Sequence, residues 1–301
     1  MRIPLLLILL VLAGSLLACG EEDSGASEEA QLAVPWVDPD GDLPYIGSLS
    51  VNPADGSLLL GTNTGLFQIP PDGGTPARLI GELSTPDGSG KVSESVVARF
   101  TGPNELIGSG HPREGSALPP ALGIIRSSDA GRTWKPVSGL GTSDYHVLAL
   151  SGDLLIAPLY GQAQIFLSRD GGRRFEARSA PMPLVDLAAD PSDPRRWVAT
   201  SDQGIFVSAD EGQTWRQRDS TPNVRLAWAA ARELYRIDPG GPVKVSADGG
   251  ETWQDRGTTG GEPHALTVDG QGRLFAAAFD GTVQRSDDGG RNWRVLVQGG
   301  G

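Results

Sequence analysis

The side chains best suited to chemistry are histidines and an aspartate in two short segments. His111 belongs to the segment SGHP, and Asp144 and His146 belong to the segment SDYH. Imidazole nitrogen and carboxylate oxygen together suit Zn²⁺, Ni²⁺, Fe²⁺ or Mn²⁺. The pattern predicts a ligand or divalent-metal site formed by His111, Asp144 and His146, with Tyr160 and His264 as further candidates. The alternative for each histidine taken alone is a polar surface residue hydrogen-bonded to a neighbouring loop.

Three acids are candidates for catalysis if the chain is an enzyme: Asp144, Asp202 and Asp280. Glycoside hydrolysis needs two facing carboxyl groups at a set separation, which any two of these acids would have to provide. The sequence contains no phosphate-binding glycine loop and no Ser-His-Asp order with a nucleophile elbow. A glycoside hydrolase is therefore the one enzyme class that we keep as an alternative to a binding protein.

An eight-residue motif must position these side chains, because it organises most of the chain. Five copies of Ser-x-Asp-x-Gly-x-Thr-Trp or close variants, called boxes below, recur about every forty residues, which is a repeat length typical of propellers. Asp accepts hydrogen bonds from backbone N–H groups two residues on, and Gly supplies a positive φ. Each box therefore predicts a tight turn, followed by a strand that begins at a buried aromatic ring. The structural aspartates of the boxes are Asp129, Asp170, Asp210, Asp248 and Asp288.

Short apolar runs between the boxes indicate one β-propeller blade per repeat. Each unit has the pattern of an inner strand, a second strand, a third strand that ends in the box, and a fourth that begins at its aromatic residue. The sequence predicts an all-β, six-bladed β-propeller of four-stranded blades over residues 45–301. Seven blades are the alternative, with residues 31–43 as a capping strand or a fragment of the seventh blade. The six units begin near Tyr45, Ser93, Asp144, Leu184, Asn223 and His264.

Propeller geometry separates the boxes from the candidate chemistry. In each blade the inner strand begins, and the second strand ends, at the face of the disc opposite the boxes. All three histidines of the chain fall on that opposite face. His111 also lies in the longest interruption of the repeat, residues 109–123, and long loops in compact folds are often functional. We therefore expect the ligand at the channel face opposite the boxes.

The N-terminal residues predict a lipid anchor. Residues 1–18 have the features of a signal peptide, with Arg2 before an apolar stretch that is too short to span a bilayer comfortably. The segment LLACG around Cys19 resembles the lipobox of bacterial lipoproteins, in which this cysteine becomes the lipidated N-terminus, and Cys19 is the only cysteine. Residues 19–44 are acidic at their start and predict a flexible tether. An ordinary secreted protein is the alternative.

The charge balance excludes some partners. The chain has 37 acidic residues against 25 lysines and arginines, a net charge of −12. This excess argues against nucleic acid and against an anionic membrane surface as binding partners. We expect a monomeric propeller that contacts a bacterial membrane through its lipid alone, in the periplasm or on the cell surface. An envelope protein or a glycan is the expected ligand.

The boxes resemble those of the BNR/Asp-box propellers, a group that includes sialidases, xyloglucanase-type glycosidases, sortilin ectodomains and photosystem II assembly factors. The resemblance covers most of the chain. A closer likeness is to bacterial lipoprotein propellers labelled glycosyl hydrolase-like, in which SGHP precedes a box and an SDFH segment follows it. Here SGHP and SDYH match, with Tyr145 in place of Phe. With this resemblance and no other enzyme motif, two hypotheses remain open: a lipid-anchored binding or assembly module on the cell envelope, and a divergent glycan-processing enzyme.

The chain also departs from these relatives. They begin with His-x-His-Gly-Leu and continue with Gly-Thr-His-x-Gly-Leu-Phe, whereas this chain has Tyr45, Gly47 and Asn63 at the histidine positions. Sialidases carry their first substrate-binding arginine in an Arg-Ile-Pro segment, and the only such segment here is residues 2–4 in the signal peptide. The resemblance therefore does not extend to the sialidase arginine triad, and any metal set of the relatives would have to differ here.

Overall fold

The computed structural model describes residues 45–92, 95–113, 115–229 and 233–299. Within these ranges, 26 strands form six sheets and no residue is helical. The described part of the chain accordingly contains no helix of the length and apolarity that a membrane crossing requires. Each sheet is built from consecutive strands, and the sheets surround a central channel. The predicted all-β, six-bladed propeller is confirmed.

The strands are numbered in chain order. Blade one contains β1 Ile46–Val51, β2 Leu58–Thr62, β3 Gly65–Ile69 and β4 Ala77–Leu79. Blade two contains β7 Val96–Gly102, β8 Glu105–Gly110, β9 Ile124–Ser127 and β10 Thr133–Ser138, and it carries an additional hairpin of β5 Gly81–Thr85 and β6 Gly88–Val92. Blade three contains β11 Ala149–Ser151, β12 Leu154–Pro158, β13 Gln164–Ser168 and β14 Glu176–Ser179.

The remaining blades follow the same four-strand pattern. Blade four contains β15 Asp186–Asp190, β16 Asp193–Ser201, β17 Gly204–Ser208 and β18 Arg216–Asp219. Blade five contains β19 Arg225–Trp228, β20 Leu234–Ile237, β21 Pro242–Ser246 and β22 Gln254–Thr258. Blade six contains β23 Pro263–Val268, β24 Leu274–Ala278, β25 Val283–Ser286 and β26 Arg294–Val297. In every blade, neighbouring strands of this four-strand set are antiparallel.

The core lies between the blades. The middle strands β2, β12, β17 and β24 bury every residue, because both faces of a blade pack against neighbours. Such strands carry nearly continuous apolar runs, since neither face meets water. This explains why sequences such as LLLGT and LFAAA lack the alternation of a half-exposed strand.

The ring closes by packing between blades one and six. Blade six is complete, because β26 is its own outer strand. Ile46 and Leu60 of blade one share a buried cluster with Phe275 and Val283 of blade six. Two hydrogen bonds reinforce this contact, from Gly74 N to Leu296 O at 3.2 Å and from Arg285 Nη1 to Pro71 O at 3.1 Å. The predicted strand or blade fragment over residues 31–43 lies outside the described residues.

The boxes form one repeated turn. In all five, the serine Oγ donates to the aspartate carboxylate at 2.7–2.8 Å and accepts from the N–H of the box glycine at 2.7–2.9 Å. The carboxylate also accepts from the backbone N–H four residues on, at 2.8–3.0 Å. The predicted turn is present. The prediction that the aspartate accepts from N–H groups two residues further along the chain was wrong. The aspartate reaches further along the chain, while the serine holds the glycine.

The same hydrogen bonds keep the box carboxylates ionised. Backbone and side-chain donation from Asn292, with Ser286, lowers the pKa of Asp288 to about 2. Burial alone would raise the pKa of Asp248, but hydrogen bonds from Thr252 and Ser246 outweigh it and lower this pKa to about 2 as well. The other three box aspartates are shifted in the same direction. These carboxylates are occupied as hydrogen-bond acceptors within their turns.

One expectation about the boxes needs correction. Each box aromatic ring was expected to be buried, but only Trp134 is fully buried, at 1% exposure. The other four box rings are half-buried. The reason is the additional hairpin of blade two, because β5 pairs in parallel with β10 and covers Trp134. Leu83 and Val92 of this hairpin lie in the same buried cluster as Trp134.

Candidate ligand site at the channel mouth

The two ends of the channel differ in the turns that surround them. The boxes lie beside the turns that join the first and second strands of a blade. Ala130 N, in a box, donates to Asn104 O in the turn between β7 and β8 at 2.8 Å. Arg196 Nη2, near the start of β16, donates to Asp248 O of another box at 2.9 Å. The inner strands therefore begin at the opposite end, as the sequence predicted. We call the opening at that opposite end the channel mouth.

A cavity of about 520 Å³ occupies the channel mouth. Every blade contributes to its wall, because the inner strands converge there. The lining includes Tyr45 and Gly47 from blade one, Val97 and Arg99 from blade two, His146, Val147 and Tyr160 from blade three, Leu184, Val185 and Asp186 from blade four, Asn223 and Arg225 from blade five, and Glu262, Pro263, His264, Ala265, Leu266 and Phe279 from blade six.

Arg99 lies deep in the channel, where it lines this cavity and also a second cavity of about 810 Å³ at the box end. Its Nε donates to Leu148 O at 3.1 Å and its Nη1 donates to Leu49 O. Burial lowers the pKa of Arg99, and the charge of Asp186 acts in the opposite direction. Arg99 is half-buried and lines both cavities. Arg99 therefore places a fixed positive charge at the base of the channel mouth.

Two further charged residues stand beside Arg99. Asp186 accepts hydrogen bonds from the backbone N–H groups of Leu187 at 2.8 Å and Leu226 at 2.9 Å, which orient its carboxylate. Arg225 donates from Nη1 to Val185 O at 3.4 Å, while its buried Nε has no hydrogen-bond partner among the described residues. Two guanidinium groups and the Asp186 carboxylate thus lie at the base of the mouth, while Glu262 also lines the cavity and balances the formal charges of its lining.

His264 forms the wall on the blade-six side. It is 3% exposed, with the ring of Phe279 stacked on it at a centroid distance of 4.0 Å and the ring of Tyr45 against it edge to face. Burial, together with the charge of Arg225, lowers the pKa of His264 to about 3, so the ring is neutral at physiological pH. Its Nε2 is buried and has no partner among the described residues. His264 is separate from the other two histidines and does not join their cluster.

His111, Asp144 and His146 come together on the blade-three side. They are half-buried, and one ligand atom from each lies within 4.8 Å of the others. His146 Nε2 is 3.0 Å from Asp144 Oδ2. The rings of His111 and His146 stack at a centroid distance of 5.5 Å, and the ring of Tyr160 also stacks on His146, at 4.3 Å. The three predicted residues therefore form one cluster at the rim of the channel mouth, and their role stays a prediction.

The rim of the mouth is unusually aromatic. Large apolar side chains that remain exposed in the described ranges are Tyr45, Ile80, Tyr160, Phe279 and Val295. The exposed fractions are 48% for Tyr45, 66% for Tyr160 and 57% for Phe279, and all three rings line the mouth. Concentrated exposed apolar surface marks interaction sites, whereas scattered apolar residues do not.

The three candidate catalytic acids do not form a facing pair in this cavity. Asp202 and Asp280 are exposed in turns that do not line it, and Asp280 Oδ1 accepts from Thr282 N at 2.9 Å within its own turn. The carboxylates that do line the cavity are Asp186 and Glu262, and Glu262 accepts from Gly240 N at 2.7 Å. Asp144 belongs to the histidine cluster instead.

The positions that depart from the resembling lipoproteins have local roles. The backbone N–H of Tyr45 donates to Asn63 Oδ1 at 2.8 Å, which links the start of blade one to its second turn. A side chain at Gly47 would contact the Tyr45 ring at 3.5 Å, so the glycine leaves room for that ring. None of these positions belongs to the His111, Asp144 and His146 cluster.

Sequence reasoning missed Arg99, Asp186 and Phe279. Arg99 and Asp186 are polar residues within or at the start of apolar inner strands, VVARFTG and DLAAD, and that interruption was the available signal. Phe279 lies in the turn after β24, the second strand of blade six. An exposed aromatic ring does not help to form such a turn, and that was the available signal. Arg225, at the start of the inner strand of blade five, also lines this cavity.

Comparison of the sequence with known protein families and with curated proteins finds no match. Among solved structures, the chain is similar to an ancestral GH74 enzyme at 14% identity and a TM-score of 0.53, covering 83% of this chain and 38% of that one. The chain thus spans less than half the length of that enzyme. It is also similar to YCF48 from Cyanidioschyzon merolae at 15% identity and a TM-score of 0.49, covering 84% of each chain. A structure of YCF48 bound to a D1 peptide matches at 18% identity and a TM-score of 0.41, covering 63% of each chain. At such identities the likeness is one of fold.

Proposed function

We propose that this chain is a lipid-anchored, extracytoplasmic binding propeller of the BNR/Asp-box kind, and that it takes its ligand at the channel mouth. The observation that carries the proposal is the cavity of about 520 Å³ with three exposed aromatic rings at its rim and two arginines at its base. Cavities of roughly 300–1,000 Å³ with apolar walls and a few converging polar groups are typical ligand sites. The alternative of a divergent glycoside hydrolase is less favoured, because the candidate acids Asp202 and Asp280 do not line this cavity.

The walls indicate the chemistry of the ligand. Tyr160 and Phe279 present flat faces suited to a sugar ring or an aromatic ring. The buried Nε of Arg225 lacks an acceptor, and an unmet buried donor costs about 1–3 kcal/mol. A ligand oxygen that accepts from Arg225 would recover that cost, and an acidic oxygen would form the stronger, charge-assisted hydrogen bond with the guanidinium. We therefore propose a ligand with a flat face and an acidic group.

The anchor part of the proposal rests on Cys19 and its lipobox-like surroundings. These residues lie outside the described ranges. Replacing Cys19 by alanine is expected to abolish incorporation of a radiolabelled fatty acid and to release the protein from the membrane fraction. Leu17→Ile, which keeps the segment apolar and the cysteine intact, is the control and should stay labelled. Fatty-acid labelling that persists in Cys19→Ala would contradict lipid anchoring at this residue.

The channel mouth is tested by truncating its rim. Thermal-shift titrations would use neutral and acidic oligosaccharides and peptides with free or amidated C-termini, with EDTA present. We expect Phe279→Ala and Arg225→Ala each to weaken binding of any hit by about tenfold or more, since buried anchor residues at interfaces typically contribute over 1–2 kcal/mol. Val295→Ala is the matched control, because Val295 is 47% exposed and lies outside the mouth.

The outcomes separate the alternatives. Binding that is unchanged in both mouth variants would place the ligand elsewhere and reject the proposal. Release of shorter sugars from a bound oligosaccharide would favour the glycoside hydrolase, and loss of that activity in Asp144→Asn, Asp202→Asn or Asp280→Asn would identify its acid.

A further inference from the structure

We propose that His111, Asp144 and His146 bind one divalent transition-metal ion at the rim of the channel mouth. The cluster combines two imidazoles and one carboxylate, with one ligand atom of each within 4.8 Å of the others. Two nitrogen ligands and one oxygen suit Zn²⁺, Co²⁺, Ni²⁺ or Fe²⁺ better than Ca²⁺ or Mg²⁺, which prefer oxygen alone. This inference concerns the metal by itself and does not depend on the ligand proposed above.

The two segments that carry these residues are held together by the backbone. His111 N donates to Ser95 O at 3.2 Å, and Tyr145 N donates to the buried Ser109 Oγ at 3.2 Å. Gly123 N donates to Ser143 O at 3.0 Å and closes the long loop onto the second segment. The ligand set is therefore positioned by the fold rather than by chance contact of mobile side chains, which is what a specific metal site requires.

The hydrogen bond at His111 leaves a metal-binding nitrogen available, whereas His146 Nε2 and Asp144 Oδ2 would exchange their mutual hydrogen bond for the metal. His111 Nδ1 lies 3.4 Å from the carbonyl oxygen of Pro112, so a proton on Nδ1 leaves the Nε2 lone pair free. Hydrogen bonds from the non-ligating imidazole nitrogen to a carbonyl are the usual way in which proteins orient a metal-binding histidine. His146 Nε2 and Asp144 Oδ2 are 3.0 Å apart, close to the roughly 3.3 Å that separates two ligands of a tetrahedral Zn²⁺ site.

An ion pair between His146 and Asp144 alone does not account for the cluster. Asp144 Oδ1 is buried and has no hydrogen-bond partner among the described residues. A carboxylate oxygen hidden from water is costly unless a donor or a cation meets it. Nor does that pair explain why His111, from another blade, stacks on His146 at 5.5 Å. A cation bound to this carboxylate would bring positive charge close to Asp144 Oδ1 and would also explain the approach of His111.

The position of the site gives the metal access to the cavity. His146 lines the channel mouth, and the ring of Tyr160, which also lines it, stacks on His146. Three protein ligands leave at least one coordination position unfilled, which is the arrangement of metal sites that bind an exchangeable group. We infer that this position is available to an oxygen or nitrogen atom of a molecule held in the mouth.

The test is a metal titration of the purified protein after EDTA treatment and dialysis. Calorimetry with Zn²⁺ and visible absorption with Co²⁺ should each report one ion per chain. Loss of a hydrogen bond that only supports a metal ligand weakens metal binding by roughly 10–100-fold. Loss of a ligand itself should weaken metal binding by more than this in each of three variants, His111→Gln, His146→Gln and Asp144→Asn. Asp202→Asn, which removes an exposed acid from the same face, is the matched control, and Phe279→Ala should bind metal normally even if it fails to bind a ligand.

A second measurement needs no variant. The chain has three histidines, so Zn²⁺ should shift the imidazole NMR signals of two of them and leave those of the buried His264 unchanged. Absence of stoichiometric binding, unchanged affinity in both histidine variants, or Zn²⁺-dependent shifts restricted to His264 would each overturn the proposal.

Discussion

Replacing Trp134 by alanine is expected to destabilise the propeller by about 3–5 kcal/mol, the range for truncating a buried tryptophan. Trp134 is 1% exposed, packs with Leu83 and Leu106 in the cluster of blade two, and donates from Nε1 to Gly131 O at 2.9 Å. Its removal would leave a cavity beneath the β5–β6 hairpin and remove much of the side-chain packing between this hairpin and the blade, although the backbone pairing of β5 with β10 would remain. Such a loss is a large part of the 5–15 kcal/mol that typically stabilises a domain.

The control is the same substitution in another box. Trp293 donates from Nε1 to Gly290 O at 3.2 Å, much as Trp134 does in its own box, but its ring is half-buried. Trp293→Ala should therefore cost less than half as much as Trp134→Ala in urea unfolding followed by circular dichroism. Equal losses for the two variants would contradict the assignment of the extra stability to the hairpin that covers Trp134.

Replacing Gly110 by alanine is expected to cost about 3 kcal/mol or more in free energy of unfolding and to disturb the cluster of His111, Asp144 and His146. Gly110 has a φ of 142°, and a Cβ there would lie 1.9 Å from the carbonyl oxygen of Ser95. The backbone strain contributes about 1–3 kcal/mol, and the forced displacement of Ser95 adds a similar amount. Because the same Ser95 oxygen accepts from His111 N, moving it also displaces His111.

Gly88 provides a matched control for this prediction. Its φ of 147° is nearly the same as that of Gly110, but nothing lies within 4 Å of a Cβ placed there. Gly88→Ala should therefore show the strain without the collision and should bind Co²⁺ normally. Urea unfolding and Co²⁺ absorption of both variants check the difference. If Gly110→Ala were no less stable than Gly88→Ala and kept its Co²⁺ affinity, the close approach of Ser95 would have no structural importance.

The sequence predicted the features that depend on local pattern. The boxes carry their own hydrogen-bond donors and acceptors. The turns, and the prediction that each repeat forms one blade, therefore followed from a single motif. The face opposite the boxes also followed, because the order of strands within a blade determines it. That geometry brought His111 of blade two and Asp144 of the next blade to the same rim, and the structure places them together.

Features that depend on contacts between distant segments were not predictable. The β5–β6 hairpin has a polar, glycine-containing sequence, GELST and GSGKV, and it is stabilised by pairing with β10 rather than by its own pattern. That pairing also explains why one box ring, Trp134, is buried while the other four are half-buried. Arg99 was missed because an alternating strand pattern does not tell which residue faces the channel.

The central claim is that the channel mouth is the binding site, and the four tyrosines of the chain allow a direct test. Tyr45 and Tyr160 are exposed at the mouth, whereas Tyr145 and Tyr235 are each 3% exposed inside the protein. The measurement is a ¹⁹F NMR titration of protein labelled with 3-fluorotyrosine, with acidic oligosaccharides and peptides as ligands and each signal assigned by a Tyr→Phe variant. We predict that a ligand that binds shifts the signals of Tyr45 and Tyr160 and leaves those of Tyr145 and Tyr235 in place. A ligand that binds with both mouth tyrosines unchanged would contradict the account.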